Sequence, residues 1–368
     1  MNREKEIVKT SIVGILGNVL LVASKIVVGL LAASISIITD AVNNLTDALS
    51  SIVTIVGTKV STKKPDKKHP YGHGRVEFVT STFIGMIIFA AGFMAIYESI
   101  TNLVSKEEPT YSLYSFIVIS IAVLVKIGLG LFFRKKGKTV SSDALKASGT
   151  DALMDSILSF GTLIGAVVSY TTGVHLEGYI GIVIGLLILK SAIDVLRESI
   201  SKIIGERTDA DFANNMVEEI ASDPRIFGVY DLIINNYGAD RNIGSVHVEV
   251  ADDMTAKEIQ LLEREIAYLC YDKYHTIMTV GIYAHNDDSD EEKEIKKKIL
   301  SIVAQHPEII QTHGFYVDSA HKVISLDIVV SFDCKTPELT QKTVCEKVSL
   351  LFPEYTAHVI VDRDFTLS

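Results

Sequence analysis

Acidic side chains recur at one-face spacing inside apolar stretches of this chain. In IITDAVNNLTDALSS, residues 37–51, Asp40, Asn43, Asn44 and Asp47 fall at i, i+3, i+4 and i+7, which is one face of a helix. In LKASGTDALMDSILSF, residues 145–160, Asp151 and Asp155 form an i, i+4 pair. A carboxylate at the centre of a membrane helix costs about 2.5–3.5 kcal/mol on insertion scales. Such groups therefore turn toward a bundle interior and need a cation or a proton to neutralise them. A lone acid is explained as readily by a hydrogen bond that tethers two helices. Acidic groups on two separate helices favour an ion path.

The elements that must carry these groups follow from composition. The chain has 368 residues, 48% of them hydrophobic, no Trp and a mean hydropathy of +0.31. The apolar excess is concentrated in roughly the first 200 residues, so one region is expected in a bilayer and one in water. Apolar runs long enough to span lie near 11–33, 36–59, 79–104, 112–134, 145–170 and 177–198. The N-terminal run is too long for a signal peptide's core and reads as the first span. KVSTKKPDKKHPYGHGR after span two and FRKKGKTVSSDALK after span four are rich in Lys and Arg, whereas the alternate loops are poor in them. Basic loops face the cytoplasm, so both termini are expected there, in a multi-pass protein of the cell membrane. The net charge of −10 does not bear on that rule. Cys270, Cys334 and Cys345 are the only cysteines and form no CxxC. A disulfide framework or thiolate zinc site is thereby disfavoured.

Past residue 205 the pattern becomes helix, strand, strand, helix, strand, and then the same order returns. LIINNYG and SVHVEVA alternate with period two around a turn, and AKEIQLLEREIAYLC has helical spacing. VEEIASDPRIFGVYDL aligns with ILSIVAQHPEIIQTHGF, and the charged run NDDSDEE reads as the linker. The expected architecture is a six-helix transmembrane domain over 1–205 followed by a duplicated cytosolic α+β domain, 206–288 and 289–368.

These features together resemble the cation diffusion facilitator family of divalent-metal efflux transporters. The resemblance covers residues 1–290 or so and rests on three features: the polar pairs of spans two and five, the loop motif DKKHPYGHGRVE, and NVLLVASKIVVG with Asn18 and Lys25. Counting back from HPYGHG at the family's spacing implies a transport quartet of Asn43, Asp47, Asp151 and Asp155. Asp40 with Asn44 is the competing register, and Asp40 otherwise falls behind the ligands or at the outer exit. Zinc-carrying members usually have His where this chain has Asp151. Three carboxylates and an amide carbonyl make an all-oxygen set suited to hard dications, similar to that of manganese-exporting members. Manganese is the first expectation, with zinc or iron as alternatives. No cofactor is expected beyond the transported metal. Because metal ligands must be deprotonated, protons from outside would compete for the carboxylates and release the ion, giving proton-coupled alternating access.

The resemblance implies further sites. Asp66, His69 and His73 match a loop that can hold a second metal, against the alternative of a solvated basic turn. His247 and His285 match a cytosolic binuclear site, although two of its other positions are Tyr230 and Tyr283, poor ligands for Mn²⁺. His313, Asp327, Asp362 and Asp364 fall at the equivalent places of the second repeat, an oxygen-rich regulatory set. Arg75 and Glu77 read as structural, pairing near the membrane surface. Family members associate through their cytosolic domains, so a homodimer is expected, and no nucleic-acid partner. No HExxH or GxxxxGK[ST] occurs, which disfavours a metalloenzyme or a nucleotide-driven pump. A membrane metal sensor or scaffold, acting through the repeats, is the remaining alternative.

Overall fold

Backbone at lipid depth must satisfy its polar groups within its own segment, which leaves the helix as the economical choice for a long apolar run. The computed structural model describes residues 3–31, 48, 50–105, 113–172, 177–238, 241–285 and 289–363. Asp40, Asn43, Asn44, Asp47 and Asp364 lie outside the described residues. The chain divides into two units, Met1–Glu206 with Tyr237–Asp240, and Arg207–Asn236 with Arg241–Ser368.

The first unit is helical. Its elements are α1 (Arg3–Leu31), α2 (50–61), α3 (Val76–Ser105), α4 (Leu113–Thr139), α5 (Asp143–Thr172) and α6 (Glu177–Ile204). Among the described residues, three stretches are long and apolar enough to cross a membrane: Arg3–Val27, Val76–Thr101 and Gly178–Ile204. Helices α4 and α5 carry Lys126, Asp151 and Asp155 in mid-helix. The core between helices is small and aliphatic, with Ile84 and Ile88 of α3, Ala144 and Ala147 of α5, and Ile188 and Ala192 of α6. Helices α3 and α6 approach closely. A Cβ on Gly181 would stand 2.1 Å from Ser99 Oγ, the small-residue contact that membrane helices use to bring backbones together. Outward, Leu16, Leu20 and Leu124 are 64%, 68% and 69% exposed, an apolar exterior that calls for lipid rather than water.

Glu77 is paired, but with Arg3 rather than Arg75. The Arg3 guanidinium lies 2.5 Å from Glu77 and also donates to the carbonyls of Val140 and Ser141. One side chain thus ties the start of α1 to α3 and to the α4–α5 turn. Glu77 is only 3% exposed, and a buried charge stripped of its partner costs about 3–5 kcal/mol. Arg3→Ala is therefore expected to lower the thermal unfolding midpoint of the detergent-solubilised protein strongly. Glu77→Gln, which removes the buried charge, should lower it much less.

The second unit holds two copies of one α+β pattern. In the first, α7 (Ala210–Ala221), β1 (Gly228–Asn236), β2 (Asn242–Ala251), α8 (Ala256–Tyr274) and β3 (Thr276–His285) form a three-stranded sheet of order β1-β2-β3. In the second, α9 (Asp290–Val303), β4 (Ile309–Asp318), β5 (Val323–Val330), α10 (Pro337–Leu351) and β6 (Thr356–Arg363) form a sheet of order β4-β5-β6. Each pairs its first two strands antiparallel and its last two parallel. The parallel pair needs a crossover, which α8 and α10 supply. Strand β2 alternates buried and half-buried residues along its length, as one face against helices requires. Met216 and Ile220 from α7, with Leu262 and Ile266 from α8, meet Val246 and Val248 there. Thr255 with Glu258 and Ser289 with Glu292 close capping boxes that start α8 and α9. All three cysteines are free thiols, and burial pushes Cys270 up to about 11.

The two sheets share an irregularity. Strand β1 slips register between Tyr230 and Ile233, and β4 slips between His313 and Tyr316. Each bulge carries a left-handed residue, Asp231 at φ 53° and Gly314 at φ 59°. Bulges re-aim side chains, and these two lie beside the polar cluster described next.

Candidate metal sites

Helix α5 turns Asp151 inward, at 6% exposure. It lines a cleft with Asn18 of α1, Ser50 and Ser51 of α2, Lys126 of α4 and its own Ser148. A buried contact between Thr54 and Ser148, 3.0 Å between hydroxyls, joins α2 to α5. Ser50 Oγ is buried and makes no hydrogen bond. One turn further along α5, Asp155 Oδ2 lies 2.9 Å from the Lys126 ammonium, whose side chain is 5% exposed. Lys126 had no place in the sequence reading. The signal was there, a lone Lys in the apolar run IAVLVKIGLG, since an ionisable residue at that depth implies a partner. Lys25 is likewise buried, at 1% exposure.

The loop before α3 brings Asp66, His69 and His73 together, with one ligand atom from each within 4.8 Å of the others. Asp66 Oδ1 accepts from the backbone N–H of Lys68 and His69 at 2.8 and 2.7 Å. Those bonds hold its carboxyl below the usual range and shape a turn. The His69 and His73 rings are 4.4 Å apart, and His73 Nδ1 is buried without a partner.

In the second unit, register decides which residues meet. His313 of β4 is opposite Asp327 of β5, and Asp362 of β6 is opposite Val329. To these the structure adds Asp231 of β1, which sequence reading missed. One ligand atom each from Asp231, His313, Asp327 and Asp362 fall within 4.8 Å of one another. His313 Nε2 is 3.0 Å from Asp231, 3.7 Å from Asp362 and 4.0 Å from Asp327. Asp231 was hidden because its carboxylate reaches the cluster only through the bulge and its left-handed backbone. Its only visible signal was an acid inside the strand GVYDLIINN.

Tyr283 and Tyr230 frame this cluster. The Tyr283 hydroxyl is 2.7 Å from Asp327 Oδ2 and 3.0 Å from Asp231 Oδ2, and burial among carboxylates pushes it far up. Gly314 leaves the room required, since a Cβ there would stand 2.9 Å from Asp327 Oδ2 and 3.0 Å from the Tyr283 ring. Tyr230 stacks on His313 at 4.8 Å and 14°, and its hydroxyl, pushed up to about 12 by burial and then Glu249, donates to Glu249. Burial opposes the charge on Asp231, but the His247 hydrogen bond at 2.8 Å and the adjacent His313 outweigh it, so its carboxyl stays low. Asp327 and Asp362 are raised, chiefly by burial.

His247 and His285 do not converge. His247 stands opposite Gly281 while His285 stands opposite Ala251, a separation of about 13 Å along the sheet at roughly 3.3 Å per residue. His285 pairs instead with Glu249 at 2.7 Å.

Comparison with known proteins places the first unit. Residues 11–204 match the cation efflux transmembrane domain. An uncharacterized transporter of Methanocaldococcus jannaschii is 29% identical over 259 residues, 70% of this chain and 91% of its own. The manganese efflux system protein MneS of Bacillus subtilis is 27% identical over 258 residues, 70% of this chain and 88% of its own. MneP, also a manganese efflux system protein of Bacillus subtilis, is 23% identical over 272 residues, 72% of this chain and 91% of its own. The domain match spans more than half of the sequence, and it falls on the helices that carry the inward acids. The chain belongs to the cation diffusion facilitator family: it is a membrane protein that transports divalent metal cations out of the cytosol, and it is not an enzyme.

Proposed function

We propose that the chain exports Mn²⁺ through an all-oxygen site built from Asn43, Asp47, Asp151 and Asp155, exchanging the ion for protons by alternating access. The observation that carries this reading is the cleft in which Asp151 meets the α2 hydroxyls of Ser50 and Ser51. Asp47 precedes those serines by three and four residues. Asn43 precedes Asp47 by four residues in the sequence, and all of these are spacings of one helical face. The donor set holds no imidazole or thiolate, and carboxylate with carbonyl oxygen suits Mn²⁺. The relatives MneS and MneP, named for manganese efflux, support the same ion. Six spans with both termini in the cytoplasm of a cell-membrane protein, and dimerisation through the domains at 206–288 and 289–368, complete the proposal. The basic loops after spans two and four support that orientation.

Lys126 takes part in this cycle as the cation that neutralises Asp155 when no metal is bound. Two tests follow. Reconstituted protein should take up Mn²⁺ faster when an opposing proton gradient is imposed, and flux indifferent to that gradient would contradict exchange. Asp151→His adds an imidazole to the set, which favours zinc. Its Zn²⁺ to Mn²⁺ flux ratio should rise by on the order of 10-fold, the size of a modest ligand preference of about 1.4 kcal/mol.

A further inference from the structure

We propose that the ends of α2 and α4 form a basic collar that binds the headgroups of anionic phospholipids, with Lys59, Lys63 and Lys64 from one helix end and Arg134, Lys135 and Lys138 from the other. The two ends lie at one end of the helical unit. Arg3 bonds to Glu77 at the start of α3, where the loop from α2 arrives, and to the carbonyl of Val140, just past the end of α4.

The first observation is the faces that these residues continue. On α2, Ile52 and Val56 are exposed, and Lys59 follows Val56 by three residues. On α4, Leu124 and Leu131 are exposed, and Arg134, Lys135 and Lys138 follow Leu131 by three, four and seven residues. Those are spacings of one helical face. In each helix an outward apolar stripe runs directly into exposed basic heads. A face in that order sets alkyl chains beside the stripe and headgroups beside the cations. The general excess of Lys and Arg in cytoplasmic loops does not require this register, since charges anywhere in a loop satisfy it.

The second observation is where the counter-charges go. Glu6 takes Lys136 at 3.1 Å, Glu77 takes Arg3, and Asp143 takes Lys146 and Lys202 at 2.8 and 2.7 Å. Asp66, the one acid between α2 and α3, accepts from the backbone N–H of Lys68 and His69. Among the described residues none of the six collar side chains is held in an ion pair. A chain of net charge −10 thus leaves six exposed cations without acids of its own where its apolar faces end. A phospholipid of net negative charge supplies what is missing. A zwitterionic one does so less well, because its own ammonium already offsets the phosphate.

The inference rests on the bilayer placement of residues 11–204 and not on which ion the chain carries. Its test reads lipid association instead of flux. The full-length protein is reconstituted in phosphatidylcholine vesicles with a trace of spin-labelled phosphatidylglycerol or spin-labelled phosphatidylcholine, and the motionally restricted fraction is measured by electron spin resonance. One basic residue near an anionic lipid supplies a preference of about fivefold. Diluted over a shell of which only part touches the collar, this predicts about a twofold excess of restricted phosphatidylglycerol. The excess should fade in concentrated NaCl. Gln at all six positions should remove most of it while leaving restricted phosphatidylcholine unchanged, and Lys→Arg at the five lysines should keep it. Equal restriction of the two lipids by the wild type, or an excess that survives the six Gln changes, would overturn the proposal. So would loss of the excess to inorganic phosphate at matched ionic strength, which marks a site for free anions. Absence of any restricted lipid is a separate failure: it removes the bilayer placement and the proposal with it.

Discussion

Asp155→Asn should reduce Mn²⁺ flux in proteoliposomes by roughly 100-fold or more, a loss at the upper end of what even outer-shell changes cause at metal sites. The carboxylate lies on the face of α5 that also carries Asp151, one helical turn away. An amide at that position keeps the shape but gives up the charge that offsets a dication's dehydration. Asp155 also pairs with Lys126, so part of any loss could come from removing that charge from beside the buried ammonium. Asp155→Asn/Lys126→Gln separates the two effects. It restores the balance of charge without restoring the ligand, and should remain inactive while recovering the wild-type unfolding midpoint.

Lys126→Gln is expected to tighten Mn²⁺ binding and yet slow turnover. At an effective dielectric near 20, opposite charges in contact attract by roughly 4 kcal/mol, and a metal entering the site must displace that attraction from Asp155. Desolvation of the ammonium gives back much of it, so a net gain of on the order of 10-fold in affinity is expected, about 1.4 kcal/mol. Without Lys126 the empty site carries an uncompensated carboxylate through the return step, and maximal flux should fall. Isothermal titration of the purified protein with MnCl₂, set beside flux at saturating Mn²⁺, measures both halves. Weaker binding in Lys126→Gln would show that the lysine supports the site rather than competes for it.

Much of this was legible in the sequence because it rests on periodicity. Acids at i, i+4 within an apolar run locate Asp151 and Asp155 on one helical face before any coordinates exist. The order of helix, strand, strand, helix, strand in each α+β copy was equally plain, since alternation along SVHVEVA and helical spacing along AKEIQLLEREIAYLC are local patterns. What local pattern does not encode is tertiary partnership. Glu77 was assigned to a neighbour two residues away and instead meets Arg3. Lys126 has no acid at helical spacing on its own helix, and only the packing of α4 against α5 shows its partner. Asp231 is the sharpest case, because a bulge reverses the face on which a strand residue is expected. His247 and His285 failed to meet for the complementary reason: parallel register fixes their separation along the sheet, and spacing in sequence across a crossover says nothing of it.

The central claim, that carboxylates from two helices grip one ion, is tested most directly by counting bound Mn²⁺ in Asp47→Asn, Asp155→Asn and the double variant of the full chain by equilibrium dialysis. If one ion is shared, each single change removes the same equivalent and the double variant loses no more than either alone. Loss of two equivalents in the double variant, or undiminished binding in Asp47→Asn, would mean that the two carboxylates serve different ions.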